Sequence, residues 1–146
     1  MAAGLVKPHS PALSVITRVF DAGLIALAHW VAILAHQEEW RNIHTTATVV
    51  AGAVFLLAGQ SLGLYRAWRG ESIGREIWRV FASWAAAASV LLLLAFVSKR
   101  SEEYSRFISL VWAISSPVAI AAWRTGLRLS LRRARSRGRN TRSVAI

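Results

Sequence analysis

The sequence predicts an all-α fold: a four-helix transmembrane bundle with a cytoplasmic interfacial segment and a basic C-terminal helical extension. Two observations support this prediction. Four apolar stretches each approach the ~20 residues that an α-helix needs to cross ~30 Å of hydrocarbon, and most of the arginines lie on one side of them. The stretches are residues 15–35, 45–64, 77–97 and 107–123.

The distribution of lysine and arginine predicts how these spans are oriented. If the N-terminus is cytoplasmic, only Arg41, Lys99, Arg100 and Arg106 of the 18 basic residues lie on the outer side. Cytoplasmic loops carry an excess of Lys and Arg, so we expect both termini inside. The chain then divides into a cytoplasmic tail (1–14), a transmembrane domain (15–123) and a basic cytoplasmic linker (124–146).

The composition agrees with a membrane protein. Hydrophobic residues make up 55% of the chain although the formal net charge is +11 and the pI is about 11.8, so apolar and basic residues must occupy different phases. A soluble nucleic-acid-binding protein would not carry four such stretches, which excludes nucleic acid and makes the lipid bilayer the first partner. The absence of cysteine excludes disulfides and thiolate metal sites.

Three polar residues stand out in the first span. Arg18 and Asp21 lie three residues apart near its start, and we expect a local ion pair at the interface. His29 lies deeper, where a hydrogen bond to a neighbouring helix is expected, and a proton relay or ligand is the alternative.

Small residues in the second span predict close packing of helices in lipid. Gly59 and Gly63 are four residues apart, as are Ala47 and Ala51, and small residues at this spacing let helix backbones approach each other. The same pattern would suit a homodimer face. In the fourth span, Pro117 predicts a kink.

The inner segment 65–76 interleaves aromatic and basic residues, which is typical of chain at the headgroup level. Its acids, Glu71 and Glu76, are spaced to pair with Arg75 and Arg79 on a helix. We therefore expect structural ion pairs there and no catalytic carboxylate.

After the fourth span, arginines recur every four residues beside leucines, which predicts that the helix continues as an arginine stripe until Gly138. Guanidinium groups suit bidentate contact with phosphate, so the candidate contacts for lipid phosphates or headgroups are Arg66, Arg69, Arg75, Arg79, Arg124, Arg128 and Arg132. Residues 139–146 are predicted to form a turn and the start of a strand.

The first outer loop formally offers metal ligands in His36, Glu38, Glu39 and His44. These side chains lack the helical spacing of two histidines four residues apart, so no metal site is predicted.

Three segments resemble the N-terminal membrane region of bacterial polyprenyl-phosphate sugar-1-phosphate transferases, the undecaprenyl-phosphate glucose phosphotransferase type. They are Leu64-Tyr65-Arg66 with Glu76 and Arg79-Val80, then Lys99 to Ser105-Arg106, and the basic tail 137–146. The positions that match the family's motifs are Tyr65, Glu76, Ser105 and Arg106. With the four spans, the resemblance covers about residues 15–146.

The resemblance implies a complete enzyme that transfers a sugar 1-phosphate from a UDP-sugar to undecaprenyl phosphate, with Mg²⁺, at the cytoplasmic face of the bacterial inner membrane. That step initiates exopolysaccharide assembly. The family's catalytic Asp-Glu pair lies in a C-terminal α/β domain, and no position here matches it, so we expect no catalysis and no cofactor in these 146 residues alone. The alternative function is a free-standing small four-helix transporter or membrane interaction protein.

Overall fold

The computed structural model describes residues 10–66 and 71–138. Four α-helices dominate this part of the chain: α1 (Ser10–Ala35), α2 (Asn42–Ser61), α3 (Ile73–Val97) and α4 (Arg106–Gly138). A short 3₁₀ helix, Ser101–Glu103, lies between α3 and α4. The described residues contain no strand, so the predicted all-α class is confirmed. The turn and strand predicted for 139–146 fall outside the described residues.

Helices α1, α2 and α3 are each followed, two positions after the last helical residue, by a residue in the left-handed backbone conformation. At the end of α2, the Leu64 N–H donates to the Gly59 carbonyl at 2.7 Å and the Gly63 N–H donates to the Gln60 carbonyl at 3.1 Å. This is the Schellman pattern of helix termination. The left-handed residues are Gln37, Gly63 and Lys99, with φ angles of 56°, 75° and 55°.

The two glycines near the end of α2 have a different role from the one predicted. A Cβ atom added to Gly59 would lie 3.0 Å from Tyr65 Cε2 and 3.1 Å from Leu64 Cδ2. Gly59 therefore lets the returning chain pack against α2, while Gly63 ends the helix three residues earlier than the predicted span. The prediction that this pair packs against another helix was wrong. The homodimer stays a prediction.

The helices form a ring in which each packs against its two neighbours: α1 with α2, α2 with α3, α3 with α4 and α4 with α1. Buried apolar side chains fill the centre, among them Ile25, Phe55, Trp84 and Ile120. Large apolar side chains also cover the outside. All four helices are long and apolar enough to cross a membrane, and such an apolar exterior suits lipid.

We name the two ends of the bundle by the predicted topology. The inner end contains the first half of α1, the connection from α2 to α3 and the second half of α4. The outer end contains the loops 36–41 and 98–105.

Candidate functional site

Four charged side chains form a buried ion-pair chain at the inner end: Asp21 of α1, Arg124 of α4, Glu76 of α3 and Arg128 of α4. Arg124 donates to Asp21 Oδ2 at 2.5 Å and to Glu76 Oε1 at 3.1 Å. Arg128 donates to Glu76 Oε2 at 3.1 Å. The residues are between 0% and 6% exposed. Two positive and two negative charges balance, as burial of ions in a low-dielectric environment requires.

Tyr65 is attached to this chain from the connection after α2. Its hydroxyl donates to Asp21 Oδ2 at 2.9 Å. Its ring lies near two guanidinium groups, with the Arg18 Cζ 4.7 Å and the Arg124 Cζ 5.1 Å from the ring centroid. Burial raises the pKa of Tyr65 above its ordinary value, so the phenol keeps the proton that it donates. Gly59 makes room for this ring.

A second ion pair lies beside the first. Arg79 donates to both carboxylate oxygens of Glu71, at 2.6 and 2.7 Å, and also donates to the Gly63 carbonyl at 3.2 Å. These hydrogen bonds from Arg79 lower the pKa of Glu71 below its ordinary value. Arg128 joins the two groups because it also donates to the backbone carbonyl of Glu71.

The partners predicted for Asp21 and Glu76 are therefore wrong, whereas Glu71 does bind one of the two arginines predicted for this segment, Arg79. Asp21 binds Arg124 across the bundle, whereas Arg18 donates to Gln60 Oε1 at 3.2 Å. Glu76 binds arginines of α4 rather than Arg79 on its own helix. Helical spacing allowed the local pairs, but a buried carboxylate needs a partner that is buried with it, and α4 supplies one at the same depth.

The predicted lipid-facing arginines separate into two groups. Arg124 and Arg128 are 1% and 6% exposed and bind carboxylates, so the expectation of phosphate contact was wrong for these two. Arg79 is held by Glu71. Exposed positions at the inner end are Arg66, Arg75 and Arg132, and for them phosphate contact stays a prediction. Arg69 lies outside the described residues.

The motif positions lie at both ends of the bundle. Tyr65 and Glu76 belong to the inner ion-pair site. Ser105 and Arg106 lie at the outer end, where Ser105 precedes α4 and its carbonyl accepts the Ser109 N–H at 3.0 Å. Arg106 is exposed. The four motif positions therefore do not form one site.

The outer end contains an aromatic cluster of His29, His44, Trp40 and Trp112. The His29 and Trp112 rings stack with centroids 3.9 Å apart, and His29 Nδ1 lies 2.7 Å from Thr48 Oγ1 of α2. The Thr48 hydroxyl already donates to the His44 carbonyl, so His29 Nδ1 is the donor to Thr48. The predicted hydrogen bond from His29 to a neighbouring helix is confirmed. In the described ranges, no group of three or more metal-binding side chains is found.

Sequence reasoning missed the ion-pair chain although it noticed each member. The available signal was the number of ionisable residues in or beside apolar spans, since charges at membrane depth pair with one another. Asp21 and Arg124 are 103 positions apart, and no spacing rule connects them.

The fold and site define a class: an all-α bundle of four membrane-capable helices whose inner end is held by buried ion pairs. The family described as CoA-binding domain matches residues 60–146. The chain belongs to this family, because the match covers more than half of it. No curated protein and no solved structure matches the chain. This family is found in the N-terminal regions of bacterial sugar transferases, which is compatible with a general resemblance of the chain to such regions.

Proposed function

We propose that this chain is the membrane-anchoring N-terminal domain of a polyprenyl-phosphate sugar-1-phosphate transferase. In this proposal, its inner end sets the direction in which α4 leaves the membrane. The observation that carries the proposal is that α4 is one continuous helix, Arg106–Gly138, held at Arg124 and Arg128 by acids from α1 and α3. An anchor with a fixed exit helix is suited to positioning a catalytic domain beside the bilayer.

The geometry supports a positioning role in two ways. At ~1.5 Å per residue, α4 extends ~20 Å from Arg124 to Gly138. Arg124 contacts α1 and α3 at once, and a helix held by two neighbours at one level cannot rotate about its own axis without breaking ion pairs. The exposed residues Arg66, Arg75 and Arg132 lie at the same end, where anionic lipid would attract them.

The substrates proposed for the complete enzyme are a UDP-sugar, such as UDP-glucose, and undecaprenyl phosphate, with Mg²⁺ as the cofactor. Phosphoryl transfer to a lipid phosphate requires carboxylates that are free to hold the metal. At the inner end, Asp21, Glu71 and Glu76 each already accept hydrogen bonds from arginine. We therefore assign Mg²⁺ and the chemistry to the catalytic domain of the complete enzyme.

Coenzyme A, which the family description names, fits the described residues poorly. Its phosphates would need converging donors, such as the amides of a glycine-rich turn or guanidinium groups gathered in one pocket. The buried guanidinium groups of Arg124 and Arg128 are already bound to carboxylates, and the described ranges contain no strand followed by a glycine-rich turn. We derive no step that involves coenzyme A.

The test is transfer of glucose 1-phosphate from UDP-glucose to undecaprenyl phosphate by membranes that contain the protein in its complete native form. We expect Arg124→Gln to lower the product formed per molecule of protein in the membrane. Arg133→Gln is the matched control, because it removes the same charge further along the same helix at an exposed position for which no lipid contact is proposed. Failure of the native protein to form the lipid product would contradict the proposal.

The topology has its own test, because the chain contains no cysteine. Ser101→Cys and Ser136→Cys each introduce one thiol at an exposed position, at the outer and inner end respectively. In intact cells, a membrane-impermeant maleimide should label position 101 and not position 136. Labelling of position 136 alone would reverse the orientation.

A further inference from the structure

A groove of about 300 Å³ lies between the outer halves of α3 and α4. Its body is apolar: the rings of Trp84 and Trp112 and the side chain of Leu91 line it, together with alanines that include Ala88. Along α3, the lining runs from Trp84 to Ala95, which is ~17 Å at ~1.5 Å per residue. The hydrocarbon core is ~30 Å thick, so the groove is about as long as one leaflet is deep.

The outer end of the groove is polar. Ser101, Tyr104, Arg106 and Ser109 line it there. Arg106 is exposed, and within the ranges 10–66 and 71–138 it forms no ion pair, whereas the nearby Arg100 lies 3.9 Å from Glu103. Burial raises the pKa of Tyr104, so its phenol remains a hydrogen-bond donor. The groove thus combines an apolar body with a donor-rich mouth, and the charged residue in its lining is Arg106.

The mouth is held in place by the first outer loop. Arg41, just before α2, donates to the backbone carbonyl of Glu103 at 2.9 Å. This contact fixes the 3₁₀ helix over the outer end of the groove, next to Tyr104. The polar residues at the mouth therefore have defined positions relative to the apolar body.

We propose that the groove binds one anionic phospholipid of the outer leaflet, with an acyl chain along α3 and α4 and its phosphate at Arg106. Charge complementarity supports this occupant. Arg106 has no carboxylate partner among the described residues, and it lies where the apolar groove, about as long as one leaflet is deep, reaches the membrane interface. This inference is independent of the proposed transferase function.

The experiment is native mass spectrometry of the complete protein with phosphatidylglycerol and with phosphatidylcholine of the same acyl chains. We expect the wild-type protein to retain one phosphatidylglycerol in preference to phosphatidylcholine. Arg106→Gln should weaken phosphatidylglycerol retention about tenfold, as expected for the loss of one charge-assisted contact. It should weaken phosphatidylcholine retention less, because the choline cation offsets the charge of that lipid's phosphate. Arg100→Gln, the same charge change at the same end, is the matched control.

A second pair of variants tests the apolar body. Ala88→Phe places a ring in the groove and should lower retention of both lipids, whereas Ala85→Phe, three residues earlier on an exposed part of α3, should not. If Ala88→Phe fails to fold, Arg106→Gln still decides the question, because it alters only an exposed side chain.

Several results would overturn the proposal. These are equal retention of the two lipids by the wild-type protein, equal effects of Arg106→Gln and Arg100→Gln, and equal effects of Ala88→Phe and Ala85→Phe. Displacement of the lipid by free glycerol phosphate would show a phosphate site without an acyl chain. A dimer mass that disappears in Ala88→Phe would show that a second copy occupies the groove.

Discussion

At the inner end of the bundle, two buried arginines bind two buried carboxylates, whereas at the outer end two imidazoles pack among tryptophan rings. The inner contacts are charged and directional, with Arg124 bound to acids on two other helices. The outer contacts are stacks and neutral hydrogen bonds, such as His29 on Trp112 and His29 to Thr48. The two ends therefore respond differently to the loss of one partner.

The inner end is strongly destabilised when only part of its ion-pair chain is formed, because its contacts are between charges. An unpaired ion in a low-dielectric environment lowers the stability strongly, whereas a complete buried ion pair changes the free energy of unfolding little. Aromatic packing loses only the contacts that are removed. The inner end thus imposes one arrangement of α1, α3 and α4, and the outer end leaves room for a groove between α3 and α4.

The largest expected effect comes from removing one charge of the ion-pair chain. Asp21→Asn leaves Arg124 short of a negative partner, and we expect the free energy of unfolding to fall by about 3–5 kcal/mol. The double variant with Asp21→Asn and Arg124→Gln should regain part of the lost stability, because one negative and one positive charge are then removed together. Denaturant titration in bicelles of the wild-type protein, the two single variants and the double variant measures the coupling free energy between Asp21 and Arg124. Strictly additive effects would show that Asp21 and Arg124 do not interact.

The next effect concerns the space that Gly59 leaves for Tyr65. Gly59→Ala adds a Cβ 3.0 Å from the Tyr65 ring, and that ring cannot move easily because its hydroxyl binds Asp21 and its faces meet guanidinium groups. We expect a loss of about 2 kcal/mol, measured by the same titration. Gly52→Ala is the control, because an added Cβ there meets no atom within 4 Å and should stabilise α2 slightly. Equal effects of the two substitutions would show that contact between the added Cβ and the Tyr65 ring is not the cause of the loss.

A smaller effect is expected at the outer end. Thr48→Val keeps the shape of the side chain but removes the acceptor for His29 Nδ1, which lies 2.7 Å away. We expect a loss of about 1 kcal/mol, the usual size for one hydrogen bond between membrane helices. Thr46→Val is the control, since the Thr46 hydroxyl bonds only within its own helix, to the Asn42 carbonyl. A loss at Thr48 as large as that of Asp21→Asn would contradict the contrast between the two ends.

The sequence was sufficient to predict the helices because each span is a local feature. A run of apolar residues with helical length determines its own structure in lipid, and even the continuation of α4 past the predicted fourth span followed from the four-residue spacing of Arg124, Arg128 and Arg132. The helix ends were less predictable. Gln37 and Lys99 adopt the left-handed conformation, and neither residue type indicates this as glycine does.

The partners of the charged residues could not be predicted for a different reason. Asp21, Glu76 and Arg124 become neighbours only when α1, α3 and α4 pack at one rotation and depth, which is a property of the whole bundle. Local rules favoured Arg18 for Asp21 and Arg79 for Glu76 because those pairs are three residues apart. Tertiary packing overrode them, and the same packing created the α3–α4 groove, whose lining comes from distant parts of the chain.

The smallest effect is a pH dependence at the edge of the inner site, where Glu71 binds Arg79. The pKa of Glu71 is lowered in the folded protein, chiefly by hydrogen bonds from Arg79, so the unfolded chain binds a proton at a higher pH than the folded one. The stabilisation from this pair is therefore present above the usual value of 4.5 and is lost as the pH falls through the lowered folded pKa.

Glu71→Gln should lower the melting temperature at neutral pH, and its melting curve should approach that of the wild-type protein as the solution is acidified. Arg132→Gln is the control, because Arg132 is exposed and is not one of the arginines that lower the pKa of Glu71. A difference between Glu71→Gln and wild type that stays constant with pH would mean that the Glu71 carboxylate charge does not contribute to the stability of the inner end.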